Sequence, residues 1–211
     1  MQSVQMGFKI RVPSLEEYVF SSGTIVLVKG RPGVGKSAFV HYLIRDGFRF
    51  GHHGILAITD AAADHIREKN AGLSETGQLH VLDFFLNKPH SLTDVAIATH
   101  MVIEKAAGVP IRFLLDSIST LGMLFSADRL APWLLEQRAW IAQQNTQILS
   151  IVTYHVGIHP SSITHALRAI SDVVVEVKVA ELDGELSVHD PRPERRRSTT
   201  QREMVSVQDP E

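Results

Sequence analysis

Short apolar runs rich in β-branched residues alternate along the chain with longer stretches in which apolar residues recur every three or four positions. The runs at 24–28, 55–59, 80–84, 111–115 and 146–154 are too short for helices. Most are apolar without alternation, the pattern of strands buried on both faces. Between them, residues 37–48 place Phe39, Val40, Leu43, Ile44 and Phe48 on one helical face. Further helices are predicted at 62–69, after a cap at Ser91, at 130–144 and at 163–170. Residues 173–179 and 185–188 read as a hairpin around Asp183-Gly184. Strands alternating with helices predict an α/β fold with a mostly parallel central sheet covered on both sides, and the hairpin adds antiparallel strands at one edge.

Composition sharpens this only a little. The chain has 211 residues, 44% hydrophobic and 21% charged, the make-up of an ordinary globular protein. One domain over 1–189 is expected. It is followed at 190–211 by a flexible charged tail that mixes arginines, acids and prolines. No apolar stretch is long enough to span a bilayer, and the opening residues lack the pattern of a secretory signal, so no membrane association is expected. With no cysteine, thiolate metal sites, disulfides and cysteine nucleophiles are excluded, which fits a cytoplasmic protein. A formal charge of −2 gives no overall pull toward nucleic acid.

The chemistry is concentrated at Gly30-Arg31-Pro32-Gly33-Val34-Gly35-Lys36-Ser37, a full match to G-x-x-x-x-G-K-[ST] between an apolar strand and a helix. Glycines let the backbone curl around an anion, and the helix start adds unpaired N–H groups and the positive end of its dipole. Residues 30–38, ending with Ala38, are therefore the predicted nucleotide cradle. Lys36 would neutralise the β- and γ-phosphates, and the Ser37 hydroxyl would ligate Mg²⁺. Gly33, Gly35 and Ala38 also fit a looser dinucleotide pattern with Asp60 as the ribose acid, but that reading leaves Gly30 and the Lys36-Ser37 pair without a purpose. Asp116 closes the run at 111–115 and is the predicted acid on the metal side; the alternative is an Asp that caps the turn after it.

The stretches GRPGVGKS, RFLLDSISTL and SIVTYHVG, in this order, resemble the RecA-like P-loop ATPases and, within them, single-domain KaiC-like proteins. The resemblance implies a three-layer fold with one further strand between the phosphate-loop strand and the Asp116 strand. It also implies ATP as ligand and assembly into rings or filaments. It places His155, at the end of the fifth apolar run, where a polar residue contacts the γ-phosphate or the attacking water; a plain strand-end histidine is the alternative. Such proteins carry a glutamate just after the second strand to polarise that water, whereas this chain has Thr59-Asp60-Ala61-Ala62-Ala63-Asp64. Asp60 is the nearest carboxylate and the candidate catalytic residue beside Lys36 and His155, with Asp64 a poorer one. An arginine among 192 and 195–197 is a candidate to act across a subunit boundary.

The expectation is an ATP-binding protein with weak or absent hydrolysis, serving as a nucleotide-dependent regulatory or assembly subunit with a protein partner. The alternatives are an ATPase that uses Asp60 and a recombination accessory protein that binds single-stranded DNA. The histidines match no metal-ligand spacing, and Trp133 and Trp140 read as core anchors on one helix.

Overall fold

The computed structural model describes residues 8–10, 18–69, 71–106, 108–182 and 185–189. The tail at 190–211, with its arginines, lies outside the described residues, as does the turn at Asp183-Gly184.

A short antiparallel ribbon of β1 (Phe8–Ile10) and β2 (Tyr18–Phe20) comes first. The strands β3 (Ile25–Gly30), β4 (His53–Ile58), β5 (Leu79–Asp83), β6 (Ile111–Asp116), β7 (Ile148–His155) and β8 (Val173–Glu176) form the central sheet. Its order is β5-β4-β6-β7-β3-β8 and every pairing is parallel. Strand β7 therefore stands between the phosphate-loop strand β3 and the Asp116 strand β6, as the family resemblance implied.

Alternate residues of each strand enter two separate cores, which is why the runs are continuously apolar. Ile25, Leu27, Ile55, Ala57 and Leu115 face helices α4 (Leu92–Lys105), α5 (Ile118–Phe125), α6 (Leu130–Ala142) and α7 (Ser161–Ile170). Val26, Val28, Leu56, Ile58 and Leu114 face helix α1 (Lys36–Phe48), and the short helices α2 (Asp64–Lys69) and α3 (Ala71–Glu75) lie on the same side. Ser91 caps α4 by accepting from the Asp94 N–H at 3.1 Å, and Asp94 accepts in return from the His90 N–H at 2.8 Å. Trp133 is buried and donates to the Leu92 carbonyl at 3.0 Å, while Trp140 stacks on His100.

The closing segment differs in detail from the hydropathy reading. The run at 173–179 divides: β8 joins the sheet beside β3, and only β9 (Lys178–Leu182) pairs antiparallel with β10 (Glu185–His189), as a two-stranded sheet of its own. The break falls at Val177, whose N–H still bonds the Lys29 carbonyl at 2.8 Å. Helix α5, read only as a turn, is a full two-turn element.

On the α1 face a buried arginine ties helix to sheet. Arg112 on β6 is 0% exposed; it donates to the Leu43 carbonyl and, at 3.1 Å, to Nδ1 of His52, with Asp46 at 3.8 Å. Gly47 is required beside it, since a Cβ there would lie 2.6 Å from the Arg112 Nε.

Candidate nucleotide site

Parallel register brings the predicted residues to one rim. Gly30 pairs with His155, Ile58 pairs with Asp116, and Leu115 pairs with Val152, so Asp116 lies level with Thr153 at the carboxyl ends of the strands. Ligand crevices of open parallel sheets occupy that rim.

The loop between β3 and α1 is shaped as its glycines predict. Gly33 and Gly35 have φ of +80° and +88°, a region that side chains rarely adopt, and Gly35 is the N-cap of α1. Gly30 is needed for another reason: a Cβ would meet the Val177 carbonyl oxygen at 2.5 Å. The first intrahelical bond of α1 runs from the Phe39 N–H to the Gly35 carbonyl at 3.1 Å, so the N–H groups before it have no intrahelical acceptor, the feature that suits a helix start to an anion. Lys36 is 3% exposed and donates to the Arg31 carbonyl at 2.8 Å, which holds its ammonium in the mouth of the loop. Burial lowers its pKa, and the nearby charges of Asp116 and Asp60 partly oppose that shift. Arg31, Pro32 and Ser37 are exposed around the loop, as is Ala38; Val34 is half-buried.

Asp116 is 5% exposed and its Oδ1 accepts from the Thr153 hydroxyl. The carboxylate is thereby fixed one strand away from the β7–β3 pair. The Asp116–Ser117 peptide is cis. Among the described residues no group of three or more His, Asp or Glu side chains is arranged to hold a metal ion. A hydroxyl and one fixed carboxylate suit Mg²⁺, which keeps most of its waters and takes its remaining ligands from phosphate. The donor set, the left-handed glycines and the buried lysine together fit Mg-nucleotide.

Asp60 and His155, separate candidates in the sequence, form a pair. His155 Nε2 donates to Asp60 Oδ2 at 2.8 Å. Asp60 Oδ1 lies within hydrogen-bonding distance of Thr59 Oγ1 (2.9 Å), Ser117 N (3.2 Å) and Ser117 Oγ (3.0 Å), and also accepts from the Thr120 hydroxyl. Partial burial would raise the pKa of this carboxyl, but the bonds from His155, Thr120, Thr59 and Ser117 outweigh it and hold the group well below the usual carboxylate range. The His155 backbone N–H is itself held by Ser119 Oγ at 2.8 Å. Asp64 is exposed and pairs with Arg67 at 3.2 Å.

The hydroxyls of Thr59, Ser117, Thr120 and Thr153 were not singled out in the sequence. Their readable signal is a hydroxyl at, or within one turn of, the end of a buried apolar strand. Beside the Asp60–His155 pair a crevice of about 410 Å³ is walled by Pro32, Phe84, Phe85, Met123, Leu124 and Ile158. His159 Nε2 donates to the Ser119 carbonyl at 2.9 Å, whereas His155 Nε2 is directed to Asp60.

No protein-family model matches the chain, and no curated protein matches it. Solved structures do. The KaiC-like protein from Pyrococcus horikoshii superposes with a TM-score of 0.64 at 18% identity, over 90% of this chain and 91% of that one. The flagellar accessory protein FlaH from Methanocaldococcus jannaschii gives a TM-score of 0.62 at 15% identity, over 79% of this chain and 76% of that one. At such identities the likeness shows the fold alone: the chain shares with these two proteins the mostly parallel α/β sheet covered by helices on both sides that its sequence predicted.

Proposed function

We propose that this protein binds Mg-ATP at the 30–38 loop and hydrolyses it slowly or not at all, acting as a nucleotide-dependent regulatory or assembly subunit. Residues 30–38 would take the phosphates through backbone N–H groups and Lys36, and Ser37 with Asp116 would hold Mg²⁺. A bound triphosphate supplies a phosphoanhydride whose cleavage requires an oriented, polarised water.

The observation that carries the slow-hydrolysis reading is the state of Asp60. Its carboxylate is occupied by Thr59, Ser117, Thr120 and His155, and those bonds make it a weak base. It is also one methylene shorter than a glutamate, which withdraws the oxygens by about 1.5 Å. A misplacement of about 1 Å can cost on the order of a hundredfold in rate. The phosphate and metal contacts come from other residues and are untouched by this loss.

Self-association into a ring or filament and a cytoplasmic location belong to the same proposal. Among the described residues no helix is long and apolar enough to cross a membrane. Around the crevice Phe85, Leu86, Met123 and Leu124 are exposed apolar side chains suited to a protein neighbour.

Steady-state turnover tests the reading. The wild type is expected to release phosphate well below about 1 per second, the lower end of the usual enzyme range. Ala61→Glu, which returns a longer carboxylate beside the site, is expected to raise that rate about tenfold or more. Turnover of several per second by the unmodified protein would refute slow hydrolysis while leaving nucleotide binding intact.

A further inference from the structure

A second cavity lies away from the crevice. It opens on the α1 face of the sheet, between α1 and the neighbouring strands β4 and β5, and encloses about 530 Å³. That is within the roughly 300–1,000 Å³ of small-molecule pockets. Its wall combines apolar Phe48, Leu56 and Leu79 with polar His41, Tyr42 and Asp46, the Asp46 carboxylate lying 3.8 Å from the Arg112 guanidinium, and its rim carries Arg45 and Arg49.

These two arginines differ from the other buried or bridging cations. Arg112, Arg67 and Arg138 all meet carboxylates. Arg45 and Arg49 are exposed, one turn apart at the end of α1, and neither side chain has a hydrogen-bond or ion-pair partner among the described residues. Their charge offsets the negative end of the helix dipole, which explains a cation there. It does not explain why both side chains border a cavity of this size with no partner among the described residues. Planar forked donors above an apolar wall complement a flat or aliphatic body that carries one anionic group.

We propose that this cavity is a second ligand site, separate from the phosphate loop, for a small amphipathic anion: an aromatic or short acyl body bearing a carboxylate, sulfonate or phosphate. Its near end is Ala38, the last residue of the proposed nucleotide cradle, so the cavity runs from that cradle along α1. At about 1.5 Å per residue, Arg45 and Arg49 stand roughly 10 to 16 Å along the helix from Ala38. A nucleotide anchored by its phosphates at the loop therefore leaves the cationic end to another anion.

The test uses 8-anilinonaphthalene-1-sulfonate, followed by fluorescence, against uncharged N-phenyl-1-naphthylamine, which has the same rings without the sulfonate. The folded protein is expected to bind one equivalent of the sulfonate, and the neutral probe about tenfold more weakly. The double variant Arg45→Gln/Arg49→Gln should keep its melting temperature and lose the sulfonate preference. Met123→Glu, in the other apolar crevice, should leave sulfonate binding unchanged. In the wild type the probe should shift the Arg45 and Arg49 Nε–H resonances and stay bound under saturating Mg-ATP. Stoichiometric displacement by Mg-ATP would overturn the proposal. So would loss of binding in Met123→Glu with retention in the arginine variant, or the absence of a one-equivalent sulfonate site. None of these results depends on whether ATP is hydrolysed.

Discussion

At Asp60 two opposing effects meet on one carboxylate: partial burial favours the neutral acid, and the surrounding hydroxyls and imidazole favour the anion. The hydrogen bonds win because they are several and all directed at the same group. With the folded pKa depressed below the unfolded value of about 3.9, Asp60 contributes stability that is complete above that value and is lost as pH falls toward the folded pKa. A carboxyl-carbon titration by NMR should therefore find Asp60 still ionised where ordinary carboxylates are protonating. Thr120→Val and His155→Gln should each move its titration upward. Lys36 is governed by the opposite balance, with burial dominant. Lys36→Met is accordingly expected to abolish nucleotide binding while the melting temperature holds or rises. The loop residues, Asp116 and the strand-end His155 were legible in the sequence because motif and strand boundary mark them. The Asp60–His155 contact was not, since it joins the loop after β4 to the end of β7 across β6, a juxtaposition no local pattern encodes.

Among the elements, α1 carries most of the organisation: its start is the proposed anion cradle, and its end is held to β6 by Arg112. Arg112→Leu leaves the buried carboxylate of Asp46 without its guanidinium, and is expected to cost about 3–5 kcal/mol in a denaturant titration. Arg112→Leu combined with Asp46→Leu should recover most of that loss, because replacing a whole buried pair is often neutral. The same brace gives a pH signature. His52 accepts from Arg112 through Nδ1, and burial together with the guanidinium charge lowers its pKa to about 4. Between that value and the unfolded pKa of about 6.5, the unfolded chain binds a proton that the native state refuses, so stability falls as pH drops through this window. His41, His53 and His100 are depressed in the same sense by burial. His52→Asn, which keeps an acceptor for Arg112, should flatten part of the slope of melting temperature between pH 6.5 and 4. Helices α1, α4 and α6 were legible from periodicity. Helix α5 was not, because its eight residues follow Asp116 so closely that a turn satisfies the same pattern, and the division of 173–179 at Val177 depends on tertiary pairing with β3.

For the whole molecule, alternation of strands and helices was enough to predict a covered parallel sheet. It carries no information on strand order, because a crossover can run in either direction along a sheet. The position of β7 between β3 and β6 followed from resemblance, and the superposition on the KaiC-like protein and FlaH agrees with it. That order converts distant stretches of chain into one rim, with Gly30 beside His155 and Asp116 level with Thr153. Calorimetric titration of Mg-ATP into the wild-type protein and into folded Lys36→Ala is the most direct measurement of what this rim is for. Saturable heat with one site per chain, abolished by the substitution, is the predicted result. No heat from the folded wild type, or equal binding by both proteins, would contradict it.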